Sequence, residues 1–579
     1  MQRLLRHPRP VARPVFLNRL GALAAIFLLT GCARGAPAPS PAPAPGATSD
    51  SARFEQFISS YLEGDFRPQQ NRDDPLASLR PEADRAEVAA AHEALGALRA
   101  IDTLRLSVQQ RIDWLLLEAS EKRTLHDTML RSAERTPGRY ITLGGIYWQI
   151  GADAEPTADD WESVLRTLER APEALAIGRE RLHAPPPLWV DLAVSTAEGY
   201  VRFLDGEYRT LIAGAPAALR ERLGAAGIDA AAALRGYVAY LRETLEPGGA
   251  TSWAAGAAYY DWVLREVNFL PYTAESMIAE GRRIHEATKR ALDSLARSID
   301  STKSWRQLVD DMQTRHPDPG KILAAYEQES HRVLGFLITH DLIRIPPCQE
   351  LLYVPTAPQN RETYAWGGYG GLRERDGVLY GRFFVTDVVP GMSEQEVHDK
   401  LRAQNNGWVS VIALHEGYPG HHLQQVYARG HDRPVRRRFG NTYFGEGWAL
   451  YAEHWMRRAG LFVTDDQKLA QLQMRLWRTA RVIIDPSLHT GRMSYDDAVT
   501  FFMDEVGLTR SAAEAEVNRY TTWPTQAPSY IIGWLEIERL EQELRRAEGD
   551  RFDAKRFRER LLEQGSLPLA LMRRAMIAR

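Results

Sequence analysis

Fifteen histidines occur in the 579 residues. Six of them (His415, His421, His422, His431, His454 and His489) lie between positions 415 and 489, where even spacing would put about two. The densest stretch is Leu414-His415-Glu416-Gly417-Tyr418-Pro419-Gly420-His421-His422, and Phe444-Gly445-Glu446-Gly447-Trp448-Ala449-Leu450-Tyr451-Ala452-Glu453 follows. Three imidazole or carboxylate ligands plus one position left for water make up a hydrolytic zinc site. In the usual helical version two His stand four residues apart on one face, with a Glu beside the first as general base. Here Pro419 interrupts the motif and the next His is six residues on. Six steps of ~100° carry His421 off the face of His415, and seven restore the face at His422 but ~10 Å further along the axis. A regular helix therefore joins neither to His415 on one ion. Pro419 cannot donate to the carbonyl of His415 and clashes with it, so a bulge is expected there; either it returns an imidazole to the site, or the odd spacing is evidence against a metal. The spacing leaves His421 and His422 both open.

These groups need a scaffold, and its periodicity is helical. Asp160–Leu182 places Trp161, Val164, Leu165, Leu168, Ala171 and Leu175 at three- and four-residue steps, with Pro172 as a point of kinking or division. Segments 276–299, 463–484 and 531–547 read the same way, and Asp160 and Thr464-Asp465 are expected helix starts. Strand signals are few: Val378–Val385, between Gly377 and Pro390, and the shorter Leu351–Val354. Between them Trp366-Gly367-Gly368-Tyr369-Gly370-Gly371 reads as a loop, without the Lys-Ser/Thr ending of a phosphate cradle. The expectation is a mostly α body with one small β-sheet, spanning 53–579 as one domain.

Residues 1–31 look like an address. Met1–Leu20 carries five Arg and no acid, Leu20–Leu29 is apolar, and Leu29-Thr30-Gly31-Cys32 follows. A basic segment, a short apolar segment and small residues describe a secretory signal. The tetrapeptide resembles a lipobox, with Cys32 as the lipidated residue of the mature chain. Ala33 rather than Asp next to it favours the outer membrane, facing the periplasm. Residues 32–52 are rich in Ala, Pro, Gly and Ser and read as a tether. Acylation of Cys32 would keep it from pairing with Cys348, which is then expected to be a buried small hydrophobe rather than a nucleophile. The net charge of −3 excludes a globally basic nucleic-acid binder; oligomeric state is not encoded in any legible way.

The two motifs together resemble a bacterial family catalogued as domain of unknown function 885, secreted or lipid-anchored proteins with a mostly helical, zincin-like fold. More distantly, the motif order is similar to helical zinc peptidases resembling angiotensin-converting enzyme, thimet oligopeptidase and dipeptidyl peptidase III. That resemblance implies zinc on His415, His421 and Glu446, with Glu416 as general base. It also implies a Tyr donor to the oxyanion from the C-terminal part of the chain. Tyr530, in Ala527-Pro528-Ser529-Tyr530-Ile531-Ile532-Gly533, is the best match, and His489 is expected as its helper or as a substrate contact.

Against these stand plainer readings: Glu446 as a cap of a Trp448–Glu453 helix, and Tyr530 and His489 as core residues. Glu453, seven residues after Glu446 on the same face, is either an acceptor that orients a ligand His or a surface acid. Arg478, Arg481 and Arg519-Tyr520 are candidates for a substrate carboxylate, although Arg481 also stands one turn from Asp485. The Val378–Val385 strand is a candidate for pairing with an extended peptide. The reading is a lipid-anchored zinc peptidase of the cell envelope acting on peptides. The alternatives are a zinc amidase or esterase acting on cell-wall material, and an inactive lipoprotein scaffold.

Overall fold

Helices form where the apolar residues recur at three- and four-residue steps, and extended backbone is confined to one short region ahead of the histidines. The computed structural model describes residues 49–66, 74, 76–151, 156–245, 252–357, 361, 366–389 and 391–577. The expected signal segment and Cys32 lie outside them. Ser49 caps α1 (Asp50–Glu63) by accepting from the Ala52 N–H. Residues 49–52 therefore belong to the helical body rather than to the tether, the rest of which also lies outside the described residues.

Among the described residues the fold is mostly helical with one three-stranded sheet. Helix α2 (Ala158–Arg181) runs through Pro172 undivided, and its start is Thr157, which forms a capping box with Asp160. It packs against α4 (Ala217–Ala239), which also packs against α3 (Pro187–Asp205). Helix α5 (Ala274–Ile299) lies along α10 (Asp465–His489), whose cap is Thr464. Helix α6 (Ile322–Thr339) leads into β1 (Gln349–Pro355), β2 (Gly367–Arg375) and β3 (Val378–Val385).

The sheet order is β1-β3-β2, with β1 parallel and β2 antiparallel to β3. Two expectations change here. The glycine-rich stretch after Trp366 is a strand, bulged between Tyr369 and Leu372, rather than a loop. Strand β3 is central and paired on both sides, so among the described residues the outer strands of the sheet are β1 and β2 rather than Val378–Val385. Cys348, at φ 57°, is half-buried rather than buried.

The apolar interior falls into two clusters that meet at the sheet. The larger holds Leu351, Phe383 and Val385 with the C-terminal helices; the smaller holds Val354 and Phe384 with α2, α3 and α4. Successive strand residues face opposite sides, so β3 sends Phe383 to one cluster and Phe384 to the other.

Helices α9 (Thr442–Arg458) and α12 (Ser529–Glu548) cross at glycine on glycine. A Cβ on Gly533 would lie 1.9 Å from the Tyr443 carbonyl oxygen, and one on Gly447 would lie 2.5 Å from Gly533 backbone. Gly533→Ala should therefore cost about 2–3 kcal/mol through forced separation of the two helices. Gly440→Ala, with nothing within 4 Å of the added carbon, is the control. Equal melting temperatures for the two variants would contradict the close crossing.

Candidate active site

Helix α7 (Asn406–Glu416) opens on Asn405, whose side chain accepts from the Trp408 N–H, and is buried almost throughout. It ends at Glu416, and α8 (His421–Arg429) begins five residues later. The expected bulge within one helix is thus a full break. The Gly417 N–H closes on Ala413 O at 3.0 Å, Tyr418–Pro419 is cis, and the Gly420 N–H reaches back to Leu414 O at 3.1 Å. Any Cβ at position 420 would sit 1.9 Å from the His415 carbonyl oxygen, so the turn folds this tightly only with glycine there. It brings the His421 ring to 4.8 Å from that of His415, nearly perpendicular to it. Trp448 of α9 donates its indole N–H to Pro419 O at 2.9 Å and ties the turn to the next element.

Helix α9 starts at Thr442, capped by Asn441, so Glu446 lies inside it and is not its cap. Glu446 Oε2 is 3.5 Å from His415 Nε2 and 3.2 Å from His421 Nε2. The three ligand atoms lie within 4.8 Å of one another. Two turns on, the fully buried Glu453 Oε1 is 2.9 Å from His415 Nδ1 and 3.1 Å from Arg478 Nη2. A proton on Nδ1 donated to Glu453 leaves Nε2 with its lone pair towards Glu446. Burial pulls the His415 pKa down, but the Glu446 and Glu453 carboxylates outweigh it and raise it to about 9. Burial likewise opposes ionisation of Glu446, and the imidazoles of His421 and His415 overcome it and hold the acid well below its ordinary range. Oε2 of Glu446 is buried with no hydrogen-bond partner. The cluster thus needs a positive charge at its centre, as protons or as a metal ion.

His422 points elsewhere. Its Nε2 is 2.6 Å from Gln349 Oε1 and its Nδ1 is 3.1 Å from Tyr369 Oη, and burial depresses its pKa to about 3. Gln349, Tyr369 and Tyr418 come from separate segments, and no local pattern announced them as its neighbours.

A cavity of about 510 Å³ adjoins the cluster. Glu416 lines it and makes no hydrogen bond or ion pair among the described residues. Tyr530, at the start of α12, stacks on the His415 ring at 6.1 Å and 14°. Burial, reinforced by Glu446, pushes its phenol up to about 12. The glycine-rich edge of β2 and the rings of Trp148, Trp366 and Trp523 also line the cavity, none of them expected there.

His489 is not in it. Buried at the end of α10, it accepts the Ala255 N–H at Nδ1 and donates Nε2–H to Tyr520 O, so both nitrogens serve the backbone and burial lowers its pKa to about 4. It is a structural residue, not a helper of Tyr530. Nor does Arg481 pair with Asp485: it bonds Glu516 on α11 (Arg510–Thr522), at 2.9 Å.

The model of a bacterial protein family of unknown function (DUF885) matches residues 62–576. The chain belongs to that family. A putative lipoprotein of unknown function from Shewanella oneidensis superimposes with a TM-score of 0.70 at 22% identity, covering 92% of this chain and 100% of its own. A putative lipoprotein from Colwellia psychrerythraea does so at 0.73 and 16% identity, covering 91% and 99%. These likenesses establish a shared fold. No curated protein matches the chain. Among the described residues no helix is long and apolar enough to cross a membrane.

Beneath the site, Asp485 accepts from Tyr260 Oη and the Thr525 N–H, and burial pushes its pKa from 3.8 up to about 7. The folded state then holds this proton more tightly than the unfolded chain does. Stability should fall, by up to a few kcal/mol, as the pH rises from 3.8 to about 7. Asp485→Asn should flatten that limb of the melting-temperature profile; an unchanged profile would refute the assignment.

Proposed function

We propose that this protein is a zinc-dependent peptidase of the cell envelope, with the metal held by His415, His421 and Glu446. The observation that carries the reading is the convergence of these three ligand atoms within 4.8 Å around a buried carboxylate oxygen without a hydrogen bond. Two imidazoles and one carboxylate with an open side towards a cavity suit catalytic zinc rather than a closed structural site. Bound zinc supplies Lewis acidity that polarises a carbonyl and acidifies water.

The chain's own groups divide the remaining work. Glu416 faces the cavity next to the ligands and takes the proton of the attacking water, then passes it to the leaving amine nitrogen. Tyr530 keeps its proton at neutral pH, because its pKa lies near 12, and gives a hydrogen bond to the oxyanion as it develops. Glu453 fixes the tautomer and direction of the His415 ring, and Arg478 holds Glu453 in turn. The outer strand β2 beside the cavity suits pairing with an extended peptide backbone. The zincin-like reading of the fold rests on the same constellation. The lipobox at Cys32, together with relatives described as putative lipoproteins, supports a lipid anchor, with Ala33 favouring the outer membrane facing the periplasm.

Mass spectrometry of the native protein should find one zinc per chain, lost in His415→Ala. A metal-free wild type would leave the scaffold alternative. Glu416→Gln should retain zinc and lose hydrolysis of a quenched-peptide library by about 100-fold or more; undiminished turnover would remove Glu416 as the base. Release of products from peptidoglycan fragments but not from the library would move the activity to the amidase alternative. Glu453→Gln should weaken zinc binding about 10–100-fold in a chelator competition, and wild-type affinity there would refute its orienting role.

A further inference from the structure

One wall of the cavity carries more cationic donors than it pairs. Arg478 and Arg481, one turn apart on α10, and Arg519 on α11 all line it. Their acidic partners number two. Glu453 takes Arg478 Nη2 but also holds His415. Glu516 is shared, at 2.9 Å from Arg481 Nη2 and 3.2 Å from Arg519 Nη2, and it accepts from Tyr520 Oη as well. Arg519 Nη1 is taken by Gln526. Three guanidinium groups thus meet two carboxylates, one of them already committed to an imidazole.

Arg478 shows the shortfall directly. It is 4% exposed, and its Nε and Nη1 are buried without a hydrogen-bond partner. Buried donors left unmade are costly, and a surplus positive charge acts strongly where water is scarce. The wall is also stiff and close to the reacting centre. The Arg481 guanidinium lies over the rings of Trp477 at 4.3 Å and Tyr530 at 4.4 Å, and that of Arg478 lies 5.8 Å over Tyr530. Planar, preset guanidinium groups are the side chains best shaped for a carboxylate.

We propose that the Arg478–Arg481–Arg519 wall is a subsite for a carboxylate of the substrate, held beside Tyr530. Resting on the peptidase reading, this makes the substrate class peptides with a negative charge close to the scissile bond. Their carboxylate comes from a free C-terminus or from an acidic side chain. Trp523, 52% exposed on the same cavity, offers an apolar face to the neighbouring substrate residue.

The test is calorimetric titration of zinc-supplemented Glu416→Gln protein with three probes. These are acetyl-Ala-Ala-Phe-Ala-Ala as free acid, the same peptide as its amide, and an amide ending in Asp. The free acid should bind about 10-fold or more tightly than the plain amide. That preference should shrink to near unity on adding Arg519→Gln, and on adding Arg481→Gln and Arg519→Gln paired with Glu516→Gln, which removes the shared carboxylate with both of its guanidinium partners. Arg519 is the most exposed of the three, at 25%, and keeps the test usable if the paired variant fails to fold. Acid-like affinity of the Asp-ended amide assigns the carboxylate to a side chain, and its absence assigns it to the C-terminus. Equal binding of acid and amide, no binding of either, or a preference that survives both variants overturns the subsite. Wild-type cleavage of both peptides without preference does so too, while leaving the peptidase reading in place. An acid preference in binding with no wild-type cleavage keeps the subsite and removes that reading.

Discussion

Glu446 Oε2 lies within 3.5 Å of two imidazole nitrogens in the protein interior, and the surrounding structure is arranged to hold these lone-pair atoms together. A buried carboxylate is tolerated when positive charge compensates it. The compensation is built as an alternating line: Arg478, Glu453, His415, Glu446 and His421, each within 3.5 Å of the next.

Three local devices make the crowding possible. Gly420 lets the turn after Glu416 pass against the His415 carbonyl. Gly447 and Gly533 let α9 and α12 touch backbone to backbone, which carries Glu446 and Tyr530 to the same place. Trp448 then holds Pro419 from α9. Each device sits within a few residues of a group it positions, so the motifs Gly-Glu-Gly and Tyr-Ile-Ile-Gly record packing as much as chemistry.

Much of this was legible where one face is buried. Segment 276–299 reveals itself because burial imposes a single period on it, and strand Val378–Val385 because it is a short apolar and aromatic run bounded by Gly377 and Pro390. Strand β2 did not, since four glycines between 367 and 371 leave no side-chain alternation to read. The turn at 417–420 was legible as a disturbance, because Pro419 forbids a regular helix, but not in form. A break and a bulge satisfy the same steric rule. His489 and Arg481 escaped because their partners, the Ala255 N–H and Glu516, lie far away in sequence. A lone polar residue carries no mark of which distant group completes it.

Phe383 and Phe384 are adjacent on β3 yet anchor different apolar clusters. The cavity draws on both, with Trp148 packed at 5.1 Å on Phe384 from one side and Trp477 belonging to the other. The two clusters thus meet across the sheet, with Leu351 and Val354 of β1 dividing between them as Phe383 and Phe384 of β3 do. Widening the cavity would mean bending a strand wedged between two apolar layers.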